Sequence, residues 1–438
     1  MPTLAGFPFI DVHFDKDGGL EGANRAQQVV AMLKDSGTTD LIVMSHGWNN
    51  DQVDAMDLYK RFFADVRPAA DSLGGTRKWG VAGVFWPSKK FGDKTLPAAT
   101  PAAGFGSDHL KKALHEQLDT LSAVFPNRTE INAARKLVPD LEDSETARAK
   151  FVDAIRNLLR ASKGNTEDSP PQFFSTKGKE LIDRLGRPLA KSVASGEGGA
   201  ALAMPVDPGE QGRAVGVASS VTGVLGGAIK FLNYATYYEM KERAATVGVN
   251  GLAPLLREVR ASGPDVGLHL VGHSFGARLV TATVAGNSGE ATLAVDTLVL
   301  LQAAFSHYGF AAGYDAKGSA GFFRRVLNEK LVRGPLVVSC TRNDEAVGTL
   351  YPLASLIANQ VASEFGDANS PYGGLGANGA QKSDASNQAI HAPGTAYEWK
   401  MGAIHNLNAD ACIKDHSDIC KPEVAYALVS SACARVRP

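Results

Sequence analysis

Gly272-His273-Ser274-Phe275-Gly276 places a serine between two glycines in the spacing G-x-S-x-G. In a chain with 46 glycines the pattern alone can arise by chance, so its surroundings decide its meaning. Residues 266–271 before it are short and apolar, bounded by Pro264 and Asp265, as a buried strand is. Residues 277–285 after it are long enough to begin a helix. Strand, tight turn and helix together make a nucleophile elbow. The turn strains its central residue and needs small neighbours where the backbone passes close to itself. It would lift Ser274 Oγ clear of the sheet, at a helix N-terminus whose dipole favours developing negative charge.

A serine hydroxyl is a weak nucleophile until a base takes its proton. On a sheet of this type the partners follow in the order nucleophile, acid, histidine. The acid is expected just past a later strand. Residues 336–340 read as that strand, and Asp344 falls in the loop after it, with Glu345 as the fallback. A solvated turn acid beside Arg342 is the plainer reading of Asp344. The histidine is expected in a polar loop before the last helix. His416 fits, just ahead of Pro422; His405, eleven residues earlier, competes but sits nearer the end of an apparent strand. His307 and His391 lie in less fitting places, and His273, inside the elbow, is expected to point away from Oγ. A tetrahedral intermediate also needs donors for its oxyanion. The Phe275 N–H follows the nucleophile directly. The Trp48 N–H, in His46-Gly47-Trp48 at the end of an early strand, is the second candidate, with Gly47 allowing close backbone approach. A tryptophan anchoring a turn in the core is compatible with that role, because the donor is main-chain.

These residues need a scaffold. Residues 7–14 read as a first strand, 24–34 as a helix and 40–45 as a buried strand. Asp51 is an N-cap for the helix carrying Met56, Leu58, Tyr59, Phe62 and Phe63, and 79–86 is the next strand. Strand and helix at this rhythm predict a parallel sheet with helices on both faces. From 89 to 232 the strand pattern stops. There, 110–125, 130–137 and 145–161 read as amphipathic helices, and 162–171 and 195–211 as loops. Residues 233–260 resume as one or two helices. Beyond the elbow, 297–301 and 336–340 read as strands, 322–332 as a helix and 370–386 as a loop. Residues 397–401 read as the last strand and 423–434 as a terminal helix.

Composition narrows the classes. The chain has 438 residues, 45 Lys plus Arg against 46 Asp plus Glu, and 44% hydrophobic residues, an ordinary globular profile. No charge excess points to nucleic acid or an anionic membrane. The early residues carry acids and no basic region, so no secretory signal is read and a cytoplasmic location is expected. No apolar run is long enough for an ordinary transmembrane helix. Four cysteines make no disulfide framework; Cys412 and Cys420 are the one suggestive pair, expected to be reduced in a cytosolic protein. No His/Cys/Asp cluster has ligand spacing, so neither a metal nor another cofactor is expected.

A strand ending in His46-Gly47, the elbow at Ser274, an acid at Asp344 and a late His416, in that order, resemble the α/β-hydrolase superfamily. The resemblance is strongest to its lipase- and esterase-type serine hydrolases. It covers about 7–86 and 233 to the C-terminus and leaves out the insertion. It implies an α/β fold with a mostly parallel central sheet of about eight strands flanked by helices, and acyl transfer without a metal. The expected organisation is a core from 1–88 and 233–438, with a mainly helical cap or lid at 89–232. The HGWNN stretch, 46–50, departs from the HGGG form of one esterase branch, so that branch's substrates do not carry over. The expected activity is cleavage of a carboxylic ester, from a small molecule or a lipid. A peptidase or amidase on the same triad is an alternative, as is a non-catalytic binding protein that kept the fold.

The insertion holds one unusual segment, 214–232, apolar and built of small residues. Gly216, Ser220, Gly223 and Gly227 suit close helix contact. A buried cap helix is the plainer expectation; a lid or a lipid-contacting segment is the sharper one. If it lines a substrate entrance, bulky substitutions at Gly223 or Gly227 should change chain-length preference more than stability.

Overall fold

A computed structural model describes residues 1–88, 106–125, 127–159, 170–187, 222–344, 357 and 372–434. The described chain forms two compact units. One comprises Met1–Lys89, Met240–Val347 and Gly374–Pro438; the other comprises Lys90–Glu239 and Gly348–Gly373.

The first unit is α/β. Its strands are β1 (Thr3–Leu4), β2 (Phe7–His13), β3 (Asp40–Ser45), β4 (Trp79–Phe85), β5 (Gly267–His273), β6 (Thr297–Leu301), β7 (Leu336–Cys340), β8 (Ser386–Ala389) and β9 (Ile404–Asn408). They form one nine-stranded sheet in the order β1-β2-β4-β3-β5-β6-β7-β9-β8. Only β1 runs antiparallel to its neighbour. Strands β3 to β7 are buried along their whole length, which fits their mostly apolar sequences. The register sets Ser45 of β3 beside Gly272 of β5, and His273 beside Leu301 of β6. After β3 the chain places β4 on one side, and it later places β5 on the other. The carboxyl ends of β3 and β5 therefore flank a point where the winding changes direction, the place where open α/β sheets bind ligands.

Helix Gln52–Leu73 begins at the expected cap. Asp51 Oδ1 accepts from Val53 N at 2.8 Å and Asp54 N at 2.9 Å, while Asp54 Oδ2 accepts from Asp51 N at 3.0 Å. A cap of this kind is worth about 1 kcal/mol, and here it fixes the exit of the 46–50 loop. The helix buries Tyr59, Phe62, Phe63 and Val66, and the terminal helix Pro422–Cys433 buries Val424, Leu428 and Val429 into the same apolar cluster.

Strands β1 and β8 are additions to the sequence reading, and two of the elements it expected differ from it. The last strand is Ile404–Asn408, not 397–401. Tyr-Glu-Trp-Lys-Met at 397–401 alternates like a half-buried strand, but Tyr397 and Trp399 stack at 4.5 Å and Trp399 Nε1 donates to Ser430 Oγ of the terminal helix at 2.9 Å. The aromatic alternation serves loop packing. The expected helix at 322–332 shrinks to Arg324–Asn328: Phe322 is exposed, and Lys330 takes a left-handed φ of 53° that ends it.

The second unit contains helices Ser107–Val124, Arg128–Leu137, Glu145–Arg156, Gln172–Ser175 and Gly178–Leu185, and the first part of Gly223–Val247. Phe173 sits 5.4 Å from Phe231 and 4.9 Å from Tyr234, ring to ring, which gives this unit an aromatic core of its own. The helix starting at Gly223 runs on past 233, and Leu225–Leu232 are buried. Gly216 and Ser220 lie outside the described residues, and a Cβ on Gly223 would meet nothing within 4 Å, contrary to expectation, but Gly227 does make the close contact expected of it. A Cβ there would stand 2.2 Å from Ile182 O. A bulky residue at Gly227 would therefore break this packing and cost stability, contrary to the expectation from sequence. Among the described residues no helix is long and apolar enough to cross a membrane.

Candidate active site

Strand β5 runs into a turn at Ser274 and out into helix Phe275–Ala285. Ser274 has φ 57° and ψ −122°, a conformation that costs a non-glycine residue of order 1–3 kcal/mol. Its backbone is held from three directions. Ser274 N donates to Leu301 O at 3.0 Å, and Ser274 O accepts from Ala277 N at 3.1 Å and from Ala304 N at 3.2 Å. The flanking glycines are required by space. A Cβ on Gly272 would stand 2.4 Å from the Ala277 backbone, and one on Gly276 would stand 2.3 Å from Ser45 O. Gly276→Val should therefore destabilise the protein by about 1–3 kcal/mol, read as a lower urea midpoint at unchanged slope. An unmoved midpoint would show that the turn has room to spare.

Three residues from separate loops meet here. His416 Nε2 lies 2.8 Å from Ser274 Oγ, and His416 Nδ1 lies 2.8 Å from Asp344 Oδ2. A carboxylate only accepts, so Nδ1 carries the proton toward Asp344 and Nε2 is free to accept from the serine hydroxyl. Asp344 follows β7 and is buried; its Oδ2 also accepts from Gln302 Nε2 at 3.4 Å. Gln302 Oε1 in turn accepts from Ser339 Oγ at 2.8 Å, a support with no signal in the sequence. Burial works against a proton on His416, but the charge of Asp344 and its hydrogen bond outweigh that, with Asp415 adding in the same sense. The imidazole is held above its ordinary value. Glu345 lies outside the described residues.

His405 is not part of this group. It lies inside β9, where Nδ1 meets Ser386 Oγ at 3.0 Å, Nε2 meets Lys400 O at 3.1 Å and the ring stands edge-on to Trp399. His307 is buried against Asn378, and His391 stacks on Tyr397. His273 does not bond to Ser274 Oγ; its Nε2 lies 2.8 Å from the carbonyl oxygen of His416.

The 46–50 loop closes the other side. A Cβ on Gly47 would stand 2.6 Å from Ser274 Cβ, so only glycine lets the loop pass this close. Asn50 Nδ2 donates to Gly47 O at 3.2 Å and to Trp48 O at 3.1 Å, and Tyr59 Oη accepts from His46 N at 2.9 Å. With Gly47 O turned to Asn50, the planar trans peptide turns the Trp48 N–H the opposite way. The Trp48 ring lies 6.0 Å from that of Phe275, so the side chain packs while the amide stays main-chain. Phe275 is the first residue of the helix, so its N–H lies at the helix N-terminus.

All four cysteines are free, Cys412 and Cys420 included. Among the described residues no group of three or more His, Cys, Asp and Glu is placed to hold a metal ion. No protein-family model matches the chain, and no match is found among curated proteins or solved structures.

Proposed function

We propose that the chain is a serine hydrolase of the α/β-hydrolase type that cleaves carboxylic esters through an acyl-enzyme. The observation that carries this reading is the unbroken line Ser274–His416–Asp344, 2.8 Å at each step, on a strained turn at the carboxyl edge of a parallel sheet.

In this reading Ser274 Oγ attacks the ester carbonyl carbon while His416 Nε2 takes the hydroxyl proton. The carbonyl oxygen becomes an oxyanion, received by the N–H groups of Phe275 and Trp48 and by the positive end of helix Phe275–Ala285. Collapse of the intermediate breaks the C–O bond, and the imidazolium returns its proton to the departing alkoxide. Water, with His416 again as base, then releases the carboxylic acid and restores Ser274. Asp344 fixes the tautomer and offsets the imidazolium charge. Residues 89–232 take the part of the cap in the same proposal.

Turnover of p-nitrophenyl esters of graded chain length, with the matching anilides alongside, tests the reaction class. Ester turnover with a pre-steady-state burst supports the acyl-enzyme. Anilides preferred over esters would move the assignment to amide bonds, and no turnover of either would remove it. The pH dependence is a second test. His416 must be neutral to act as base, so kcat/KM should be full at high pH and fall as pH drops through the His416 value. Because Asp344 holds that value up, the midpoint of the acidic limb should lie above 6.5, the ordinary histidine value. A midpoint well below it would mean that His416 is not the titrating base.

A further inference from the structure

The loops that carry Gly47 and His416 meet at His273, the last residue of β5. Its ring is buried, and Nε2 lies 2.8 Å from the main-chain carbonyl oxygen of His416. A carbonyl can only accept, so Nε2 carries the proton and donates it. That leaves Nδ1 without a proton, and Nδ1 is indeed buried without a hydrogen-bond partner among the described residues. It faces Gly47, where a Cβ would stand 3.2 Å away. The two imidazole rings of His273 and His416 lie 5.0 Å apart, tilted by 41°. The residue immediately before Ser274 thus grips the peptide of His416 itself, at a point where the glycine after β3 leaves it room.

We propose that His273 is the positioning residue for the general base: its Nε2–H holds the His416 main chain and so sets the distance from His416 Nε2 to Ser274 Oγ. This rests on the hydrolase reading above. The physical reason is the polar loop that carries His416. Residues 409–421 lie between β9 and the terminal helix with no regular secondary structure, so strand pairing does not fix the base as it fixes the β5 end of the elbow. A hydrogen bond from the last residue of β5 ties the base to the same rigid strand that ends in the nucleophile. The ring also suits a site that becomes positively charged during turnover. Burial first, and then the neighbouring His416, push His273 down to about 3, so it adds no second positive charge beside the imidazolium.

The test has three arms. In the unmodified protein, nitrogen NMR of labelled histidine should show His273 protonated at Nε2 alone across the neutral range. A ring protonated at Nδ1, or at both nitrogens, would overturn the proposal without any variant. His273→Leu removes the donor. It should lower kcat, by up to about 10²-fold as small misplacements of a catalytic group do, with KM little changed. It should also weaken the low-field proton resonance of the His416–Asp344 bond. His273→Gln carries an N–H that reaches about as far as Nε2, and should recover most of the loss and the resonance. Equal loss in both variants, or no loss in the leucine variant, would show that the bond only fills space. If the unmodified protein turns over neither ester nor anilide, the hydrolase reading fails on that result alone. The tautomer and the low-field resonance would still decide the part played by His273.

Discussion

Ser274→Ala should lower kcat on a short p-nitrophenyl ester by several orders of magnitude; removing the serine nucleophile of a comparable protease costs about 10⁶. The size follows from the geometry. In the proposed reaction Ser274 Oγ forms the acyl bond, and it lies 2.8 Å from His416 Nε2, the base that takes its proton. The fold should survive, because the strained backbone at φ 57° is held by bonds from its own N and O, and these do not use the hydroxyl. Thermal unfolding should therefore shift little while turnover collapses. A fully active, normally folded alanine variant would contradict the proposed mechanism as a whole.

Asp344→Asn should be the second largest loss, about 10⁴ in kcat if the comparable protease is the guide. The amide keeps the shape but can present N–H to His416 Nδ1, which favours the tautomer with the proton on Nε2, facing Ser274. That tautomer cannot accept the hydroxyl proton. The same change removes the charge that holds His416 above its ordinary value, so any residual kcat/KM should show an acidic limb moved to lower pH. A variant that kept its activity and its pH limb would remove Asp344 from the group and return it to the status of a buried loop acid.

Much of the candidate site was legible because each member sits where an element ends. The apolar strands before Ser274 and Asp344 are buried on both faces and read as continuous runs, so the loops after them could be located from the sequence. His416 could be separated from His405 only by position in the chain, and the structure gives the physical distinction: both ring nitrogens of His405 are taken, by Ser386 Oγ of β8 and by the Lys400 carbonyl oxygen. That strand was misplaced for a related reason. Ile-His-Asn-Leu-Asn carries three polar residues, and a buried strand with such a sequence is stable only because Asn406 and His405 find specific partners. Asn406 Nδ2 donates to Ala380 O at 3.2 Å and to Asn387 Oδ1 at 2.9 Å. Such long-range pairing leaves no periodic signal. The grip of His273 on the His416 carbonyl and the support of Asp344 by Gln302 are of the same kind, contacts between residues far apart in sequence.

Exposing the unmodified protein to a fluorophosphonate probe and locating the added mass by peptide mapping shows whether Ser274 is an activated nucleophile. One adduct should form, on Ser274, and it should form slowly or not at all once His416 is replaced by alanine. An adduct on a different serine, or a protein that takes no probe while fully folded, would contradict the account.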